Sequence, residues 1–435
     1  MPESVDVIVI GGGPAGSTAA ALLARAGRRV AVYEKERFPR FHIGESLLPF
    51  NVDLFERLGV SSRMEGQYIE KWGARLISSD GSVARYIEFA NGMDGDHPMA
   101  YQVLRSRFDE MLLRNAQSAG AEVHEGCSVT EATASARDGC EVTVRDASGS
   151  TTTRRGRFLL DASGRDAFLA SRRRLRRMND GLRKAAVFAH YEGVPRAEGR
   201  CAGDIILIVL RDGWFWMIPL AGGRTSVGLV MDGETWRVNR VNDRMTPEAF
   251  LDEAIRSCPA AAARMRAATR VSEVWAASDW SYKCKEIAGD GYLLLGDAAA
   301  FIDPIFSTGV YLAMSSGAMA ADTLNALFSR GAPLHRASFA GYERKVRRHV
   351  GSYLGIVSRF YRPSFMDIFM RPGRRMKIAN AVISLLAGMA DPPWHVRWRI
   401  HFFYAVVALQ RRFGSFAPPV PLLGVLERAR APSRS

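Results

Sequence analysis

The chain has 435 residues, more than one apolar core serves, so two or three lobes are expected. Its five cysteines (Cys127, Cys140, Cys201, Cys258 and Cys284) are odd in number and scattered, which excludes a disulfide framework and a Cys-x-x-Cys zinc site and fits a reducing cytoplasm; no metal is expected. The net charge of +14 lies entirely beyond residue 330, where 18 Lys and Arg face four acids. Such an imbalance is either a solvated face or a field that steers an acidic partner to one end. Nothing points to nucleic acid.

In chain order, "VDVIVI" reads as a buried strand with no basic leader before it. "GGGPAG" then reads as a tight turn, "STAAALLARAG" as a helix and "RRVAVYE" as a second strand. Gly11, Gly13 and Gly16 satisfy G-x-G-x-x-G, in which glycines allow the turn, the approach of a pyrophosphate and close helix packing. The phosphates belong on the helix amino terminus, beside Pro14 and Ala15. Glu34 falls 18 residues after Gly16, where an acid accepts hydrogen bonds from ribose hydroxyls and disfavours a 2′-phosphate. "FLLDASGRDAF" ends a strand at Asp161 with Gly164 in the turn, and "GYLLLGDAAAFIDP" ends another at Gly296-Asp297. Three strands ending in Gly and Asp imply an extended ligand laid across strand ends, although turn chemistry alone also favours these residues there.

Between these segments, residues about 180 to 285 alternate as antiparallel strands ("KAAVFAHYEGV", "DIILIVL", "RTSVGLVM") and form a sheet lobe together with a "YIEKWGARLIS" hairpin. In "GWFWMIPL", period-two spacing sends Trp214, Trp216 and Ile218 to one face. Beyond residue 331 the pattern is helical with a basic face, broken at "DPPW" and "APPVP". The run Ile378 to Ala390 has thirteen residues, short of the roughly 18 to 20 of a membrane span.

These motifs resemble the FAD-containing superfamily of aromatic hydroxylases, and four of them resemble flavin-dependent halogenases of the phenol and pyrrole type: "ERFPRFHIGESLLP", "YIEKWGARL", "GWFWMIP" and "DPIFSTGV". The implied fold is α/β: a Rossmann-like FAD-binding domain of the glutathione-reductase type (1–175 with 285–330), an antiparallel substrate domain (176–284 with about 65–100) and a helical C-terminal extension (331–435). The implied FAD site adds Lys35, Arg40, Gly44, Glu45 and Ser46 after the second strand. Arg105, before a helix that follows Phe108, joins it with Val129, and Pro304, Gly309 and Val310 complete it.

In such enzymes a flavin hydroperoxide oxidises chloride or bromide. The resemblance places the halide at Ser307, Thr308 and Gly309, where successive backbone N–H groups make an anion concavity. It maps the essential lysine that relays hypohalous acid onto Lys71, and it makes Trp214 and Trp216 a wall between flavin and substrate. Composition alone makes Lys71, beside Glu70, a surface lysine and the Trp strand ordinary core. No second glycine triplet is present for NADH, so FADH2 is expected from a separate flavin reductase. The substrate is a small electron-rich aromatic, free or tethered to an acyl or peptidyl carrier protein. In the tethered case Arg347, Arg348, Arg374 and Arg375 are candidate docking residues, on an extension expected to cover the substrate entrance. A monomer or dimer is expected. The rival readings are a hydroxylase or epoxidising monooxygenase, a geranylgeranyl-reductase-like enzyme and a flavin-bearing protein without catalysis.

Overall fold

A computed structural model describes residues 4–93, 97–242, 245–278, 281–371, 373 and 375–427. Its first sheet runs in the order Ala288–Gly289, Tyr292–Leu294, Thr151–Asp161, Val5–Ile10, Val30–Glu34, Glu122–Glu125, with Ser128–Ser135 and Gly139–Arg145 off the path. The four pairings from Tyr292–Leu294 to Glu122–Glu125 are parallel. A parallel strand is covered on both faces, which explains the unbroken apolar run "VIVI"; Val7, Ile8 and Val9 are fully buried. The helices Pro14–Arg25 and Thr308–Ser329 pack against each other on small residues. Their backbones come so close that a Cβ on Gly317 would lie 2.4 Å from the Ala15 carbonyl oxygen.

The second sheet runs in the order Thr269–Arg270, Lys184–Glu192, Thr225–Asp232, Gly213–Pro219, Ile205–Val209, Gly73–Ser78, Ala84–Glu88. It is antiparallel except that Ile205–Val209 pairs with Gly73–Ser78 in parallel, so this sheet, expected to be antiparallel, is mixed. Trp214, Trp216 and Ile218 do share one face, while Phe215 and Met217 pack on the other against Phe250 and Leu251. Trp216 lies directly over Gly228 of the neighbouring strand, where a Cβ would come within 2.3 Å of the indole.

The expected hairpin at "YIEKWGARLIS" does not fold back at Trp72; its second half, Gly73–Ser78, forms a hairpin with Ala84–Glu88 instead. Ile69–Lys71 pairs with Ala100–Gln102 in a separate two-stranded sheet, and Gly73–Ser78 belongs to the large one. Asp204 makes the switch, because its Oδ1 accepts the N–H groups of both Trp72 (2.8 Å) and Gly73 (2.7 Å) and turns the chain within one residue. The helix expected after Phe108 begins earlier, at Arg105.

The C-terminal helices Ala340–Phe360, Pro363–Phe369, Ile378–Ala387 and Trp394–Phe413 do not form an isolated appendage. Tyr353, Ile356, Phe360, Phe365 and Phe403 share one apolar core with Trp214 and Trp216. No helix among the described residues is long and apolar enough to cross a membrane.

Candidate active site

A cavity of about 500 Å³ lies at the carboxyl ends of the parallel strands and runs from the glycine turn to the tryptophan strand. Its size suits a cofactor, for which roughly 300–1,000 Å³ is usual. At one end Gly11 adopts φ +99°, and a Cβ there would strike the Ala162 carbonyl oxygen at 2.4 Å. Gly16 lies off the cavity, with a position for Cβ only 2.0 Å from the Gly11 oxygen, so its task is helix packing. Gly13, Pro14 and Ala15 line the cavity, and the helix they open has no side-chain cap, which leaves its first N–H groups for an anion.

Glu34 Oε2 accepts from the Gly12 N–H (2.7 Å) and Oε1 from that of Glu36 (2.9 Å); each oxygen keeps a lone pair for a ribose hydroxyl. Arg40 lines the cavity with its guanidinium ion-paired on two sides, Nε to Glu36 Oε2 (3.1 Å) and Nη1 to Asp109 Oδ2 (3.4 Å). An uncapped helix start, an aligned carboxylate and a guanidinium at the cavity wall are a set that fits FAD. Lys35, ion-paired with Asp166 at 2.6 Å, also lines the cavity, as do Val129, Gly164, Pro304 and Val310.

Asp161 stands apart from the cofactor group expected of it. It is fully buried and does not line the cavity; its oxygens accept from Ser163 N (3.1 Å), Ser163 Oγ (2.5 Å) and Leu169 N (2.7 Å), so it holds the turn. Asp297 does line the cavity, and burial pushes its carboxyl up to about 6 against the pull of Arg165 and Arg105. Arg105 grips Asp109 through two bonds (2.7 and 2.8 Å) and donates to the Ile43 carbonyl at 2.5 Å, pinning the loop that carries Gly44, Glu45 and Ser46 into the cavity wall. His42 also lines it, lowered to about 4 by burial and by Arg105, and therefore neutral near pH 7.

At the other end stand Trp214, Trp216, Ile218 and Ile205. Both indoles are tethered: Trp216 Nε1 donates to Ser226 Oγ (3.1 Å) and Trp214 Nε1 to Tyr361 Oη (3.0 Å). Lys71 is 2% exposed and sits one hydrogen bond behind the wall, its Nζ 2.8 Å from Ser46 Oγ and 2.9 Å from the Leu47 carbonyl oxygen. Burial lowers its amine to about 7, opposed by Asp204, and the Phe89 ring centre lies 5.1 Å from Nζ. Ser307 and Gly309 line the cavity at the start of the helix Thr308–Ser329, while Thr308 is buried behind them.

Sequence reasoning missed three groups. His190 Nε2 lies 2.9 Å from Glu45 Oε1, both buried; the inward parity His190 shares with Phe188 and Ala186 was its only signal. Asp303, which opens the motif "DPIFSTGV", and Tyr361 meet at 2.9 Å, 58 residues apart, a pairing that no local pattern announces. In the extension, Arg347 binds Glu343 and the Cys284 and Lys285 carbonyls, and Arg348 binds Asp391 at 2.8 Å, so both are engaged within the chain. Arg374 and the side chain of Arg375 lie outside the described residues.

Known proteins share this arrangement. The family model for tryptophan halogenase matches residues 6–78 and 71–387. A 1H-pyrrole-2-carbonyl-[peptidyl-carrier protein] chlorinase of Pseudomonas fluorescens is 29% identical over 90% of this chain and 95% of its own. A tryptophan 2-halogenase of Chondromyces crocatus is 33% identical over 83% of this chain and 68% of its own. Among solved structures, the flavin-dependent brominase Bmp2 has a TM-score of 0.83 at 27% identity, covering 94% of this chain and all of that one. The myxobacterial chondrochloren halogenase CndH has 0.77 at 29%, covering 93% of this chain and 98% of that one. A cavity built for FAD, ending in two indoles, thus sits in a chain matched over most of its length by enzymes that attach halogen, and the protein belongs to the flavin-dependent halogenases of the tryptophan-halogenase family.

Proposed function

We propose that the enzyme halogenates an electron-rich phenolic or pyrrolic ring carried on a peptidyl or acyl carrier protein, with FADH2 supplied in the cytoplasm by a separate reductase and chloride or bromide as the halogen source. The observation that carries this reading is the buried Lys71 amine. A neutral amine has two N–H groups and one lone pair. Ser46 Oγ and the Leu47 carbonyl engage both hydrogens and leave the lone pair as the free position. An amine lowered to about 7 is available in that form near neutrality.

Reduced FAD, when bound, supplies the two electrons that with dioxygen turn halide into hypohalous acid. Ser307, Thr308 and Gly309 hold the halide through backbone N–H groups at the start of a helix, where partial positive charge favours an anion. Trp214 and Trp216 exclude water and keep the organic ring from the flavin, so that only a small species crosses. Lys71 takes the halogen from hypohalous acid, giving up one N–H proton to the water released, and passes it to the ring, whose displaced proton restores that N–H; alternatively, it holds the acid by a hydrogen bond. Either way the amine is regenerated. The pyrrolyl-carrier chlorinase among the relatives supports a tethered substrate.

Mass spectrometry of carrier-bound and free phenols and pyrroles, with a flavin reductase and with or without each halide, tests the reading. Halogenated product that disappears in Lys71→Ala is expected. Oxygenated product without halide, undiminished in that variant, would establish the hydroxylase instead.

A further inference from the structure

We propose that Tyr361, contributed by the C-terminal extension, is a positioning residue for the halide turn, tying Trp214 to Asp303 and thereby fixing the backbone at Ser307–Gly309. The inference rests on the halide reading of that turn. An indole N–H is only a donor, so Tyr361 Oη accepts from Trp214 Nε1 (3.0 Å). The single phenolic proton must then go to Asp303 Oδ2 (2.9 Å), while Asp303 Oδ1 accepts the Ile305 N–H at 3.0 Å. Every bond in this chain therefore has a defined direction, and Asp303 is an acceptor on both oxygens.

Asp303 is 2% exposed and caps the turn Pro304–Phe306. The next residue, Ser307, has φ +57°, a left-handed conformation that serine adopts only when its surroundings impose it. That conformation aims the following N–H groups. The aromatic ring is held from the other side. Lys184 Nζ lies 3.7 Å from its centre and 2.5 Å from Asp232 Oδ1, while the Phe360 ring stands edge-on at 5.4 Å. Tyr361 therefore joins the tryptophan strand, the halide turn and the extension through one hydroxyl.

Tyr361→Phe retains the ring and its neighbours and deletes only that hydroxyl. With FAD-loaded enzyme, a reductase and a panel of carrier-bound and free phenols and pyrroles, the halide KM on whichever substrate the wild type halogenates is expected to rise at least about fivefold, with kcat at saturating halide and FAD affinity within about twofold of wild type. Asp303→Asn disturbs the same chain from its far end and is expected to raise the halide KM similarly. The double variant should be no worse than the weaker single, since both act through one series of bonds. If Tyr361→Phe does not fold, Asp303→Asn alone decides. A halide KM within twofold of wild type, with losses confined to kcat or melting temperature, overturns the positioning role, as do strictly additive effects. Wild-type enzyme without halide-dependent product would instead remove the halide reading and this inference with it.

Discussion

The two ends of the cavity are built by different means. The cofactor end is made of backbone: the Gly11–Gly16 turn, the ends of parallel strands and the start of a helix, with Glu34 as its main side chain. The tryptophan end is made of side chains from distant segments in two separate groups, Ser46 bonded to Lys71, and Trp214 bonded through Tyr361 to Asp303. A backbone site tolerates changes of side chain but not an added Cβ. A side-chain site loses its chemistry to one truncation while the fold survives.

The sharpest way to break this contrast is at Lys71. Lys71→Met fills the same space without the amine, and halogenated product is expected to fall by about 10³-fold with FAD affinity unchanged, as for loss of a group that acts directly on a reacting atom. Equal loss of FAD in that variant would show the two ends to be one unit. The converse variant is Gly11→Ala, which combines positive φ with a 2.4 Å clash on the Ala162 oxygen. It is expected to destabilise the protein by about 2–4 kcal/mol in urea unfolding and to weaken FAD binding.

Trp216→Phe should be milder. Thinning the indole wall is expected to raise the share of reducing equivalents lost as hydrogen peroxide by up to about tenfold, near 1.4 kcal/mol; peroxide and halogenated product measured in the same reaction give the ratio. The smallest effect is on pH. The Lys71 amine is near 7 folded and 10.5 unfolded, so between these values the unfolded chain binds the extra proton, and stability rises with pH. Urea unfolding at pH 7, 8 and 9 should show this slope, at most about 1.4 kcal/mol per unit, and Lys71→Met should abolish the Lys71 contribution to it. The lone pair is lost by protonation, so Lys71-dependent turnover should also fall as pH drops below about 7.

What was legible in the sequence follows the same division. The glycine turn could be read because its residues are contiguous and each glycine has a steric reason, and the tryptophan strand because period two is local. Asp161 misled because a strand-end acid that caps its own turn has the same local pattern as one that meets a ligand; Ser163 and Leu169 claim it. The hairpin failed at Trp72, where Asp204, 132 residues away, decides which sheet each half joins. The pairing of Tyr361 with Asp303 left no trace because neither lies in a repeating pattern that includes the other. The apolar core that the extension shares with Trp214 and Trp216 could not be read from its helical pattern, because that is a matter of which apolar face meets which.

The absence of a side chain at Gly228 has a practical meaning for reach. The six-membered ring of Trp216 occupies the space a Cβ would take there. Any larger residue there acts as a shim beneath a tile, lifting the ring off its bed and into the cavity that the ring lines. Position 228, which does not itself line the cavity, thereby becomes a gauge for the width of that cavity at its tryptophan end.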